Sequence, residues 1–130
     1  MTATLRSMIE AARPAVPALG PAEACDALNG GDVDLIIDVR EPGEFAKGHV
    51  PDAVNIPRGI LELRADPTSP TANEALGAAR SGRVLVYCTQ APGFRSLLSA
   101  QTLASMGYER VEALDGGLVA WEAAGLPVER

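Results

Sequence analysis

Between Arg83 and Met106 the chain reads RVLVYCTQAPGFRSLLSAQTLASM, and this stretch leaves few folds open. Val84, Leu85, Val86 and Tyr87 form a short apolar, β-favouring run, the pattern of a strand buried on both faces of a sheet. Cys88 closes it. A polar loop bearing glycine and proline, Thr89 to Phe94, follows, and then Leu97, Ala100, Leu103 and Ala104 recur at helical spacing. The order strand, cysteine, loop, helix puts Cys88 at the carboxyl edge of a parallel sheet, where ligands bind in open α/β folds. Backbone N–H groups of the loop and the positive end of the helix dipole are expected around it. A thiol so placed favours its thiolate, the reactive form, and Arg95 in the first helical turn adds a permanent positive charge. Beside this stands the plainer reading of a small buried cysteine that only packs.

The 130 residues suit one domain with a single core, and 47% apolar with 22% charged residues is ordinary for a globular chain. A formal charge of −6, with no basic run, argues against a nucleic-acid surface. Two cysteines, Cys25 and Cys88, make neither a disulfide framework nor a metal cluster, so nothing asks for a cofactor or a metal. A reducing cytoplasm is the expected location. Arg6, Glu10 and Arg13 interrupt the amino-terminal apolar residues, so that stretch does not read as a secretory signal, and no apolar run reaches membrane-spanning length.

Along the chain, residues 1–14 read as a helical extension, with Leu5, Met8, Ile9 and Ala12 on one face and Pro14 ending it. Residues 15–130 form the main domain. Ala15 to Leu19 is expected as an edge strand that tolerates Pro17, and Pro21 opens a helix that stops at Asn29-Gly30-Gly31. Cys25 lies on that helix three residues before Leu28, so packing is its expected role and a resolving thiol the alternative. Leu35-Ile36-Ile37 reads as an interior strand ending in Asp38-Val39-Arg40. A short helix follows from Glu41 to Gly48, with Arg40 and Glu44 spaced to pair. His49 reads as a hydrogen-bonded structural histidine. Ala53 to Ile56 is a further strand, Ile60 to Leu63 a helical turn, ADPTSPTA a surface loop, and Ala75 to Ala79 a short helix. After Gly107, Val111 to Leu114 is a strand and Asp115-Gly116-Gly117 a strand-to-helix turn. Leu118, Trp121 and Ala124 then share a helical face. Alternating β and α elements call for an α/β fold with a parallel sheet covered by helices on both faces.

Three segments resemble the rhodanese-like sulfurtransferase family. LIIDVREPGEFAKGHVPDAVNIP is similar to its amino-terminal signature, VLVYC with a downstream Arg-Ser to its active-site strand and loop, and LDGGLVAWEAAGLPV to its closing Gly-Gly and Trp motif. The resemblance implies an open five-stranded parallel sheet. It implies that Cys88 takes a sulfane sulfur from a donor such as thiosulfate, becomes a persulfide and passes the sulfur to cyanide, a thiol or a protein acceptor. Arg95 matches the arginine that closes the loop, and Thr89, Gln90, Ala91, Gly93, Phe94 and Ser96 fall in the persulfide-binding loop. Asp38 and Arg40 match supporting residues, expected as a structural ion pair.

One departure stands out. The family usually places four residues between cysteine and arginine, and here six intervene, with Pro92 unable to donate an N–H. A wider cradle fits a larger group or a looser persulfide. Related phosphatases of this fold use five residues and a histidine before the cysteine, where Tyr87 stands here. Two other readings therefore stay open: a catalytically weak binding or sulfur-carrying module, and arsenate-reductase or phosphatase-like oxyanion chemistry. Phe94 either lines the entrance for a thiol substrate or folds back onto the core. Arg58 and Arg64 are expected to be solvated and outside the site.

Overall fold

The computed structural model describes residues 2–130. Helix α1 (Leu5–Ala12) is closed at its start by a reciprocal pair, Ser7 N–H donating to Thr4 Oγ1 at 3.1 Å and Thr4 N–H to Ser7 Oγ at 2.9 Å. Strand β1 (Ala18–Leu19) follows, then α2 (Pro21–Asn29), β2 (Leu35–Asp38), α3 (Pro42–Lys47) and β3 (Val54–Asn55). The remainder is α4 (Leu61–Ala65), α5 (Glu74–Ala78), β4 (Arg83–Tyr87), α6 (Phe94–Ser105), β5 (Arg110–Leu114) and α7 (Gly117–Ala123). All five strands are parallel, in the order β1-β5-β4-β2-β3. The strand that leads into Cys88 is thus the central one, and the expected edge strand forms only over Ala18–Leu19, because Arg13–Ala15 takes a 3-10 turn and Pro17 stays outside the strand.

Alternation along β4 explains the two layers. Val84 and Val86 face one side, where they join Ile9, Ala12, Leu61, Leu76, Ala100 and Leu103. Leu85 and Tyr87 face the other, with Ala24, Ile36, Leu118 and Trp121. Helices α1, α4, α5 and α6 therefore cover one face, and α2 and α7 the other. Trp121 is 2% exposed, and its indole N–H donates to Pro127 O at 2.7 Å, so the largest side chain is buried with its polar group satisfied. Burial of a side chain of this kind stabilises by about 1.5–3 kcal/mol.

Some expected core positions differ. Ala104 and Ala124 lie on the solvent side of their helices. Leu5 and Met8 are half exposed, while Ile9 and Ala12 enter the core against α6. Small residues carry little preference for either side, and a helix eight residues long presents only about one buried position per turn to its neighbour. Among the described residues no helix is long and apolar enough to cross a membrane.

Candidate active site

Cys88 is the residue after β4. Val39 N–H donates to Tyr87 O at 3.1 Å, extending the ladder to the strand's last residue. Beyond it the chain is held from the side by the start of α7: Leu118 N–H donates to Cys88 O at 3.0 Å and Val119 N–H to Thr89 O at 2.9 Å. This contact requires glycine. A Cβ on Gly117 would stand 2.6 Å from Cys88 O and 2.8 Å from Thr89 O, and Gly117 has φ +59°. The Gly-Gly turn thus seats the cysteine, a role its sequence position alone did not reveal.

Cys88 is buried, 4% exposed, yet it borders an opening. The opening is a pocket of about 350 Å³ lined by Glu44, Cys88, Thr89, Gln90, Ala91, Pro92, Phe94 and Arg95. Phe94 is 42% exposed on that wall, so it lines the entrance and does not fold onto the core.

The loop turns tightly after Gln90, whose carbonyl accepts from Gly93 N–H at 2.9 Å; Gly93 has φ +71° and serves as N-cap of α6. Its own carbonyl accepts from Leu97 N–H at 2.9 Å. Among the described residues, the N–H groups of Thr89, Gln90, Ala91, Phe94, Arg95 and Ser96 have no protein acceptor. Three of them are the first N–H groups of α6, which a helix leaves unpaired. The expected cradle from Thr89 to Ser96 thus lacks two donors, because Pro92 has no N–H and that of Gly93 is engaged within the loop. Ser96, 2% exposed, holds the sulfur from within: Cys88 Sγ donates to Ser96 Oγ at 3.4 Å, and the hydroxyl donates to Gly93 O at 3.0 Å.

Of the two pairings expected for Arg40, the structure shows the one with Asp38 and not the one with Glu44. Arg40 Nη2 lies 2.6 Å from Asp38 Oδ2 and its Nε 3.0 Å from both carboxylate oxygens, and Nη2 also donates to Gly48 O at 2.7 Å. Both residues are buried and neither lines the pocket. Arg40 precedes the N-cap of α3, Glu41, so helical spacing does not apply to it. Glu44 instead reaches Arg95, Nη1 to Oε1 at 2.8 Å and Nη2 to Oε2 at 3.3 Å, while Nη2 also donates to Thr89 Oγ1 at 2.9 Å. The Arg95 guanidinium holds the Glu44 carboxyl down at about 2, and Glu41 N–H, donating to it at 3.0 Å, adds to the effect.

Several residues fall outside the site. Tyr87 points to the opposite face of the sheet from Cys88, its oxygen accepting from Val50 N–H at 3.0 Å, and burial pushes its phenol upward. His49 stacks on Phe45 with ring centroids 3.8 Å apart, and its Nδ1 meets Val50 O at 2.9 Å. Arg58 pairs with Glu62, and Arg64 donates to Thr71 O. Cys25, half-buried, accepts from Asn29 Nδ2 at 3.6 Å and lines a different cavity. No group of histidine, cysteine and carboxylate side chains among the described residues is arranged to hold a metal ion.

The family model for the rhodanese-like domain matches residues 20–124. A sulfurtransferase of Allochromatium vinosum is 33% identical over 94 residues, covering 72% of this chain and 77% of that protein. The chain spans 49%, 44% and 40% of three longer relatives. Among solved structures, a Rhodopseudomonas palustris protein described as of unknown function and a possible tyrosine phosphatase superposes with a TM-score of 0.90 at 33% identity, over 99% of this chain and 96% of that one. A human single-domain sulfurtransferase superposes at 0.69 with 28% identity, over 83% and 96%.

Proposed function

Because this chain belongs to the rhodanese-like domain family, we propose that it is a sulfurtransferase working through a Cys88 persulfide. The observation that carries this is a thiol at the end of the central strand, on the floor of a pocket bordered by loop and helix N–H groups that no protein atom uses. The Cys88 thiolate attacks the sulfane sulfur of a donor, a new S–S bond forms at Cys88, and the donor fragment leaves with the electrons of the broken bond. Negative charge on the outer sulfur then lies beside fixed dipoles that need not reorganise. A thiol, cyanide or a protein acceptor takes that sulfur and restores the thiolate. Ser96 sits where its hydroxyl, now turned to Gly93 O, can rotate to donate to the thiolate once the thiol proton is gone. Two unpaired cysteines suit a reducing, cytoplasmic setting.

Oxyanion chemistry is the second reading, favoured by the six-residue loop and by the Rhodopseudomonas palustris likeness. The pocket argues against it, since its one carboxyl, Glu44, is held ionised by Arg95 and offers no proton to a leaving group. Thiocyanate formation from thiosulfate or an organic thiosulfonate with cyanide tests the choice. Turnover that Cys88→Ser abolishes is the expected result; hydrolysis of an aryl phosphate or reduction of arsenate without thiocyanate formation would overturn it.

A further inference from the structure

The pairing of Arg95 bears on which donors the pocket admits. Of the residues that line it, Arg95 is the one cation and Glu44 the one carboxylate. Two N–H groups of the guanidinium go to Glu44 and one to Thr89, so three of its five donors are engaged before any substrate arrives. Side-chain charge around Cys88 therefore sums to zero, and the thiolate brings it to minus one. The unpaired N–H groups of the loop and of α6 can offset that one charge. Among the described residues no second cation lines this pocket.

Resting on the persulfide reading above, we infer that Glu44 selects donors by charge: it occupies Arg95 and so favours monoanionic organic sulfane donors, such as thiosulfonates and hydropersulfides, over the dianion thiosulfate. With a thiosulfonate the step balances. The Cys88 thiolate attacks the sulfane sulfur of R–SO2–S⁻, the Cys88 S–S bond forms, the donor S–S bond breaks, and the sulfinate R–SO2⁻ leaves with the bonding pair. Two negative charges stand on each side, one on the persulfide and one on the sulfinate afterwards. Glu44 takes no part in bond making and acts through Arg95 and through its own field.

The test compares methanethiosulfonate with thiosulfate, both with cyanide as acceptor, on the wild type and on Glu44→Gln. The amide keeps an oxygen for Arg95 and for Glu41 N–H while removing the charge. One charge a few ångströms away in a partly solvated pocket is worth about tenfold. The expected result is that the ratio of kcat/KM, methanethiosulfonate over thiosulfate, falls about tenfold in Glu44→Gln, mainly through a lower KM for thiosulfate. A ratio unchanged by the substitution would overturn charge selection, whatever the absolute rates, because any misfolded fraction cancels in the ratio. Failure of both donors to form thiocyanate or to load Cys88 with sulfur would instead sink the persulfide reading, and charge selection with it.

Discussion

Two ion pairs begin in one short stretch, Asp38 to Glu44, and they do different work. Asp38 and Arg40 have side chains 0% and 6% exposed, fold onto each other two residues apart, and tie β2 to Gly48 O. Glu44 reaches instead to Arg95, 51 residues later, with side chains 39% and 27% exposed at the mouth of the pocket. Burial separates them: the inner pair cannot be opened without stranding a charge away from water, whereas the outer one is bathed by solvent and can answer to a ligand.

The largest break in that comparison comes from removing the inner carboxylate. Asp38→Ala leaves Arg40 buried without a counter-charge, and unfolding in urea is expected to show a loss of about 3–5 kcal/mol. Loss below 1 kcal/mol would mean that water reaches Arg40. Next is Gly117→Ala, which touches neither pair but moves what lies between them. Its Cβ meets Cys88 O in a left-handed conformation, so a cost of about 1–3 kcal/mol is expected, with sulfur transfer down more than about tenfold as the loop shifts. A variant equally destabilised but fully active would show that the α7 turn does not seat the cysteine.

The outer pair is expected to give the smallest effect. Glu44→Gln should cost about 0.5–1 kcal/mol after solvent screening, and 1 M salt should remove most of that difference while leaving the Asp38→Ala deficit in place. The pH dependence follows from the depressed carboxyl. A group whose folded value lies below its unfolded one stabilises above the unfolded value, so the Glu44 contribution is complete above about pH 4.5 and declines as pH falls towards about 2. Difference titrations of stability for wild type against Glu44→Gln should converge across that interval. Curves that stay parallel would remove Glu44 from the pair in solution.

Much of the fold was legible because its signals are local. Val84 to Tyr87 followed by Cys88, the Pro21 start and the Gly107 stop each fix an element from a few neighbours, and alternating elements then leave a parallel sheet as the economical arrangement. The position of the cysteine at a strand end followed from the same run. What the sequence did not show depends on contacts between distant residues. Spacing alone offers Glu44 to Arg40, four residues away, yet α3 begins only after Arg40, which takes Asp38, and the reach of Glu44 to Arg95 has no local signal. The dependence of the Cys88 carbonyl on Gly117 arises where α7 docks, 29 residues downstream in the chain and adjacent in space. Phe94 had two plausible places, and only the loop's turn at Gly93 settles that it faces the pocket.

The central claim is that Cys88 carries the transferred sulfur, and intact-protein mass spectrometry tests it most directly. Wild-type protein incubated with methanethiosulfonate or thiosulfate should gain the mass of one sulfur atom and lose it on adding cyanide, while Cys88→Ser gains none. Sulfur retained by Cys88→Ser, or absent from the wild type with both donors, would contradict it.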